Sequence, residues 1–263
     1  MPEQNGGFIW YELMTTDPEG AKAFYEPVVG WSMTTGHGGD DAYGFLTAPD
    51  GAMVGGLLRL SKEMTGSGAK PGWLGYIAVA DVDATAREIE AQGGKCLMPA
   101  RDVEMAGRIA MVADPGGAPF YVMTPKPPPG AGDGKSTAFE AKRNPGHCGW
   151  NELMAADAGR EIGFYTGLFG WSLPEPMDMG PMGKYQFIVH DDVTIGAIMG
   201  TMPEAPEPHW NHYFWAPSIE TAKAAIEANG GRVINGPMEV PGGDWIVQGI
   251  DPQGAQFSLV GGK

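Results

Sequence analysis

Residues 10–14 read Trp-Tyr-Glu-Leu-Met, and residues 150–154 read Trp-Asn-Glu-Leu-Met, which sets an offset of 150 − 10 = 140 positions. Further identities keep this order, first at 140 and then at 137 positions. They are Phe24-Tyr25 with Phe164-Tyr165, Gly30-Trp31 with Gly170-Trp171, Trp73 with Trp210, Gly93-Gly94 with Gly230-Gly231, and Asp114-Pro115 with Asp251-Pro252. Ordered identities at a nearly constant offset indicate an internal duplication, so the chain consists of two homologous halves.

Each half repeats one order of elements twice: a strand, a helix and three more strands. Residues 8–15 are a predicted strand, and Asp17 and Pro18 predict a helix start, since Asp caps a helix and Pro is tolerated at its first position. Gly30 is expected to end that helix. The second unit of the first half has a strand at 74–80, a helix from Asp81 to Gln92 that Gly93 ends, and strands at about 95–98, 108–113 and 119–124. The module is βαβββ, and the chain carries four copies.

A Pro- and Gly-rich stretch at 125–144 separates the halves. Proline runs favour extended spacers, and the glycines that follow favour a flexible segment. The sequence therefore predicts a first domain at 5–124, a linker at 125–144 and a second domain at 145–263. It leaves open whether the modules pair within each half or across the halves.

Composition narrows the class of partner. Lys and Arg total 17 against 32 Asp and Glu, a net charge of −15, which disfavours charge-driven binding to nucleic acid or to an anionic membrane. No apolar run approaches a membrane span, and the first residues lack the features of a secretory signal. The two cysteines, Cys96 and Cys148, are expected to be reduced. We therefore expect a cytoplasmic protein that is a monomer or a homodimer and that binds a small molecule.

The ordered set of Leu13, Asp17, Phe24-Tyr25, Gly30-Trp31 and Asp114-Pro115-Gly116-Gly117 resembles the vicinal oxygen chelate superfamily. Glyoxalase I, bleomycin-resistance proteins and extradiol dioxygenases belong to that superfamily, and the chain is most similar to its two-domain bacterial glyoxalase-like members. The resemblance implies an α+β fold, in which four βαβββ modules form two glyoxalase-like domains. Their curled, mostly antiparallel sheets would form half-barrels around a ligand cavity.

Enzymes of that superfamily usually hold a divalent metal through a His or Gln, a second His and a Glu. Matching the motifs position by position places unusual residues at these sites: Trp10, Leu74 and Tyr121 in the first half, and Trp150, Asn211 and Ser258 in the second. Trp, Leu and Tyr do not bind such metals as His and Glu do, and Asn and Ser are weak ligands. The sequence therefore predicts no metal site and no cofactor.

Glu12 and Glu152 are the candidate catalytic residues. Each lies two positions after a Trp, so Trp10 and Glu12 share one strand face, as do Trp150 and Glu152, and the resemblance turns that face toward the cavity. A buried Glu is costly unless it is paired or functional. One alternative is a structural pair with an arginine such as Arg108, and the other is contact with a ligand.

Aromatic residues are expected to form the wall of the cavity, with Asn211 and Ser258 as polar contacts. The aromatic candidates are Trp10, Tyr76, Tyr121, Trp150, Tyr213 and Trp245. An aromatic wall with few polar groups is typical of a small-molecule site. We interpret the chain as a protein that binds an apolar or aromatic molecule without metal, comparable to bleomycin-resistance proteins. The alternative is a glyoxalase-like lyase or isomerase, or a dioxygenase-type enzyme, in which Glu12 or Glu152 is the general base.

Overall fold

The structure is a computed structural model that describes residues 5–36, 43–104, 106–126, 135–203 and 207–263. The described residues of the first half form eight strands and three helices. In chain order these are β1 (Phe8–Thr15), α1 (Pro18–Val29), β2 (Ser32–Met33), β3 (Tyr43–Thr47), β4 (Met53–Arg59), α2 (Lys62–Gly66), β5 (Gly72–Ala78), α3 (Val82–Ala91), β6 (Lys95–Val103), β7 (Gly107–Ala113) and β8 (Pro119–Pro125).

The second half repeats this order, except that its described residues include no counterpart of α2. Its elements are β9 (Cys148–Ala155), α4 (Ala158–Phe169), β10 (Met177–Asp178), β11 (Lys184–His190), β12 (Val193–Gly200), β13 (His209–Ser218), α5 (Ile219–Ala228), β14 (Arg232–Glu239), β15 (Trp245–Ile250) and β16 (Gln256–Gly262). A short 3-10 turn at Gly180–Met182 precedes β11. The predicted α+β class and its repeated modules are confirmed.

The strands form two eight-stranded sheets of equivalent topology. Their orders are β2-β3-β4-β1-β5-β8-β7-β6 and β10-β11-β12-β9-β13-β16-β15-β14. Both sheets are mixed: β1 with β4 and β9 with β12 are parallel, whereas the hairpins β3–β4 and β11–β12 are antiparallel. Within the described residues, no helix is long and apolar enough to cross a membrane.

Local sequence explains where the helices start and stop. The Asp17 side chain accepts a hydrogen bond from the Gly20 amide at the start of α1, and Asp157 does the same for Arg160 at α4. Gly30 ends α1 with φ of 88°, a left-handed conformation that favours glycine. The predicted caps are therefore confirmed. The short helix α2, capped by Ser61, was not predicted, and β6 runs further than the predicted 95–98.

The chain folds into two compact units, each of which combines segments from both halves. The first unit contains Met1–Ile9, Gly75–Ser136 and Trp150–Asn211, and the second contains Trp10–Leu74, Thr137–Gly149 and His212–Lys263. The packing of a unit thus joins one module of each half, an arrangement that the sequence left open. The domain boundaries at 5–124 and 145–263, with a linker between them, stay a prediction.

Each unit has an aromatic core crossed by one chain of hydrogen bonds. In the first unit the Trp210 indole donates to the Tyr165 hydroxyl at 3.0 Å, which donates to Asp114 Oδ2 at 3.1 Å. In the second, Trp73 donates to Tyr25 at 3.1 Å, and Tyr25 donates to Asp251 at 3.0 Å. Burial raises the pKa of both tyrosines well above the usual value, so both hydroxyls stay protonated and remain donors.

Gly196 on β12 is a position where the fold requires glycine. A Cβ at this position would overlap the backbone carbonyl oxygen of Asn151 on the neighbouring β9. We expect Gly196→Ala to push β12 away from β9 and to lower the free energy of unfolding by about 1–3 kcal/mol. Gly200→Ala on the same strand is the matched control, since a Cβ there meets no atom within 4 Å. Urea unfolding curves in which both variants behave alike would contradict this role of Gly196.

Candidate functional site

The side chains of Trp150, Glu152, Tyr185 and Asn211 form one hydrogen-bonded cluster in the first unit, which we call the Glu152 cluster. The Tyr185 hydroxyl donates to Glu152 Oε1 at 2.8 Å and accepts from the Trp150 indole at 2.8 Å. The Asn211 amide donates to Glu152 Oε2 at 3.4 Å. The Trp150 and Phe187 rings meet edge-on, with centroids 6.1 Å apart. The cluster therefore combines a carboxylate with aromatic surface.

Strand register explains how Tyr185 reaches Glu152. The two residues lie on β11 and β9, and β12 runs between them. Adjacent strands are about 4.8 Å apart, so only a long side chain spans two intervals. Ala197 on β12 is the register partner of both Glu152 and Phe187, and its small side chain leaves room for the tyrosine to pass. Tyr185 was not among the predicted site residues, because this contact joins non-adjacent strands.

The protonation state of Tyr185 follows from its surroundings. Burial, and after it the negative charge of Glu152, raises the pKa of Tyr185 well above its usual value. The phenol therefore remains a hydrogen-bond donor at neutral pH. Because Trp150 donates to the same oxygen, the tyrosine hydrogen is directed at the carboxylate, and the Glu152 side chain is held in one orientation.

Equivalent residues of the first half form a related arrangement in the second unit. The Trp10 indole donates to the Tyr43 hydroxyl at 3.0 Å, and Phe45 packs edge-on against both rings. Glu12 lies two residues along β1 from Trp10 and is 3% exposed. The pairs Tyr43/Tyr185 and Phe45/Phe187 share an offset of 185 − 43 = 142. This Tyr-x-Phe repeat is the signal that could have identified both tyrosines from the sequence.

Tyr76 and Tyr121 are brought together in the first unit. They are register partners on β5 and β8, and their rings stack with centroids 4.2 Å apart and an interplanar angle of 11°. Both are buried.

Two further candidates, Tyr213 and Ser258, are register partners in the second unit. Gln248 is the other register partner of Ser258, and its amide donates to the Tyr213 hydroxyl at 2.8 Å. Trp245 lies three positions before Gln248 on β15, so it points to the opposite face of the sheet. There it lies under the Lys263 ammonium, 4.7 Å from the ring centroid. The prediction that Trp245 shares a wall with Tyr213 and Ser258 is therefore wrong.

The suggested partner of Glu12, Arg108, makes other ion pairs. Its guanidinium donates to both carboxylate oxygens of Asp83 on α3, and to Asp102 at 3.2 Å. Met111, not Arg108, is the register partner of Tyr121, and residues three apart on a strand face opposite ways. Arg108 thus lies on the helix side of its sheet, and its choice as the partner of Glu12 was wrong.

The residues at the metal-ligand positions of the superfamily do not fit a divalent metal. Leu74 is buried hydrocarbon and Tyr121 is stacked on Tyr76. Trp150 directs its indole nitrogen at Tyr185, and Asn211 directs its amide nitrogen at Glu152. Such nitrogens carry hydrogen and offer no lone pair to a cation. Among the described residues, no group of three or more His, Cys, Asp or Glu side chains is placed to hold a metal ion.

The fold and these side chains define a duplicated glyoxalase-like protein, and similarity to known proteins agrees with this. Residues 7–122 match the Glyoxalase/Bleomycin resistance protein/Dioxygenase superfamily. A Mycobacterium bovis protein named "Putative glyoxylase CFP32" is 31% identical over 254 residues, which cover 95% of this chain and 93% of that protein. The chain therefore belongs to the glyoxalase/bleomycin resistance/dioxygenase superfamily.

One further relative and one solved structure are also similar to this chain. The "Anthracycline biosynthesis protein DauV" of Streptomyces sp. strain C5 is 30% identical over 272 residues, covering 97% of this chain and 93% of that protein. Among solved structures, the Mn(II)-bound glyoxalase from Novosphingobium aromaticivorans has a TM-score of 0.65 at 16% identity, covering 98% of this chain and 82% of that one. At this level of sequence identity, the structural similarity supports the fold but not a shared activity or ligand.

Proposed function

We propose that this protein binds a small, planar aromatic molecule without a metal, at the Glu152 cluster. The observation that carries the proposal is the orientation of Glu152 by Tyr185 and Asn211, at 2.8 and 3.4 Å, beside the rings of Trp150 and Phe187. Aromatic surface with one oriented polar group is the usual composition of a small-molecule site.

The chemistry of the cluster selects the kind of ligand. A carboxylate accepts hydrogen bonds and donates none, so its partner must carry an N–H or O–H group. The Trp150 ring is half-buried, and aromatic rings prefer offset-stacked or edge-to-face partners. The net charge of −15 disfavours anions. The proposed ligand is therefore a neutral or cationic aromatic compound that bears an amine or a hydroxyl.

The names of relatives are compatible with this class. One is named for anthracycline biosynthesis. The matching residues of the first half, Trp10 and Glu12 with Tyr43, are proposed as a second site of the same kind. We further propose the stacked pair Tyr76 and Tyr121 as aromatic surface for a ligand.

An enzyme is the second candidate function. The hydrogen bond from Tyr185 to Glu152, at 2.8 Å, orients a carboxylate, and an oriented carboxylate is suitable as a general base. A glyoxalase-like lyase or isomerase, or a dioxygenase-type enzyme, would use Glu152, or Glu12 in the first half, as its base. The superfamily is named in part for glyoxalases and dioxygenases, which supports this alternative.

Titration with 1-aminoanthracene tests the proposal. This fluorescent compound has three fused rings and one amine, so we expect its emission to rise on binding and to saturate at micromolar protein. Mass spectrometry of the recovered compound then separates the two functions. An unchanged compound supports binding alone, whereas a changed mass that requires Glu152 supports the enzyme. The absence of any saturable change in emission would contradict the proposed ligand class.

Metal removal should have little effect. Since no coordination contributes to the proposed site, dialysis against EDTA is expected to leave both the melting temperature and the 1-aminoanthracene affinity unchanged. Elemental analysis of protein purified without chelator should find far less than one equivalent of Zn, Ni, Fe or Mn. Near-stoichiometric metal, or a fall of several degrees in the melting temperature after EDTA treatment, would show that the metal-ligand positions were misassigned.

A further inference from the structure

Ser258 is a buried hydroxyl for which the fold supplies no partner. Ser258 is 0% exposed, and its Oγ has no hydrogen-bond partner among the residues that the structure describes. Buried polar side chains are nearly always hydrogen-bonded, because an unsatisfied group loses its bonds to water without replacement. An exception of this kind calls for an explanation, and one explanation is a group supplied by a ligand.

The neighbours of Ser258 form a polar bridge above it. Strand β16 lies between β13 and β15, and Ser258 is in register with Tyr213 on one side and Gln248 on the other. The hydrogen bond from Gln248 to Tyr213, at 2.8 Å, must therefore cross over Ser258. The Gln248 carbonyl in turn accepts from the exposed Asn235 amide at 3.0 Å.

We propose that Ser258, Gln248 and Tyr213 form a subsite that binds a carbonyl oxygen of a small molecule. The Ser258 hydroxyl donates to this oxygen, and the Gln248 amide has a second hydrogen beyond the one given to Tyr213. Gln248 is half-buried, so rotation of its side chain opens the bridge and uncovers Ser258. The side chains of the subsite are all uncharged, which favours a neutral carbonyl over a carboxylate or phosphate.

This subsite lies within the second unit and does not depend on the Glu152 cluster. It rests on the proposed function only for the aromatic class of the probe. The test compares 1-aminoanthraquinone with 1-aminoanthracene, two compounds that share their fused rings and amine and differ in two carbonyl groups. Because both compounds are also expected to bind the Glu152 cluster of the first unit, the comparison is made in the Glu152→Gln protein. Direct titration gives the affinity ratio for this reference, for its Ser258→Ala variant and, as a control, for its variant with the exposed Ser32→Ala.

The Glu152→Gln reference and its Ser32→Ala variant should bind 1-aminoanthraquinone about 3- to 10-fold more tightly than 1-aminoanthracene, as expected for one hydrogen bond. The Ser258→Ala variant should bind both compounds equally, and its melting temperature should equal or exceed that of the Glu152→Gln reference, since no internal hydrogen bond is lost. Equal affinities in the Glu152→Gln reference, a preference that survives in its Ser258→Ala variant, or a marked fall in the melting temperature of that variant would each overturn the inference alone. Failure of both compounds to bind the Glu152→Gln reference would overturn the inference, and failure of both to bind the unmutated protein as well would overturn the proposed ligand class with it.

Discussion

Tyr25→Phe is expected to lower the free energy of unfolding by about 4 kcal/mol, because two buried polar groups lose their partners at about 1–3 kcal/mol each. The hydroxyl is enclosed in the core of the second unit, where it accepts from Trp73 and donates to Asp251. Water cannot readily replace it, since Tyr25 is 0% exposed. Urea unfolding followed by tryptophan fluorescence measures the loss.

The duplication supplies a replicate and a control. Tyr165→Phe removes the equivalent hydroxyl of the first unit and should lower the free energy of unfolding by a similar amount. Tyr43→Phe also removes a hydroxyl that accepts from a tryptophan, but Tyr43 is half-buried and water can substitute. We expect Tyr43→Phe to lower the free energy of unfolding by less than about 1 kcal/mol. Equal losses in Tyr25→Phe and Tyr43→Phe would contradict the structural role of the buried chains.

Glu152→Gln is expected to weaken 1-aminoanthracene binding about 10- to 100-fold, because a hydrogen bond to a charged acceptor contributes about 1.5–3 kcal/mol. Gln keeps the shape of the side chain and one acceptor for Tyr185. Its new amide group meets a second donor, the Asn211 amide, which lies 3.4 Å from Glu152 Oε2. A ligand N–H therefore loses its acceptor while packing changes little. Fluorescence titration at constant ionic strength measures the change.

Two other Glu→Gln variants separate a local effect from a change in net charge. Glu90→Gln on the exposed side of α3 removes the same charge far along the chain and should leave the affinity unchanged. Glu12→Gln reports whether the first half binds the same compound. If Glu12→Gln and Glu152→Gln leave both the affinity and any detected conversion of the compound unchanged, the two glutamates are structural and the general-base alternative is removed.

Local features of the fold were predictable because neighbouring residues determine them. Asp17 with Pro18 starts α1 and Gly30 ends it, and the 140-residue repeat predicted the equivalent elements of the second half. The sheet face on which a strand side chain lies was harder to predict from the sequence. Arg108 and Trp245 lie on strands whose existence was predicted or implied, but the two side chains occupy the faces opposite those of Tyr121 and Ser258.

Contacts across non-adjacent strands could not be derived from the sequence. Glu152 and Tyr185 meet because β12 places Ala197 between them, and that depends on the order and register of three strands. Gln248 crosses over Ser258 for the same reason. In both clusters some members were predicted, whereas the side chain that reaches over the intervening strand was not. The Tyr-x-Phe repeat was the one sequence feature we identify that pointed to Tyr185 as a site residue.

A crystal structure of the protein soaked with 1-aminoanthracene tests the proposed ligand site most directly. We expect density for the fused rings against Trp150 and Phe187, with the amine within hydrogen-bonding distance of Glu152 and with Tyr185 still bound to the carboxylate. Density for the compound elsewhere, with Glu152 remote from it in every copy, would contradict the claim that this carboxylate and its aromatic neighbours form the ligand site.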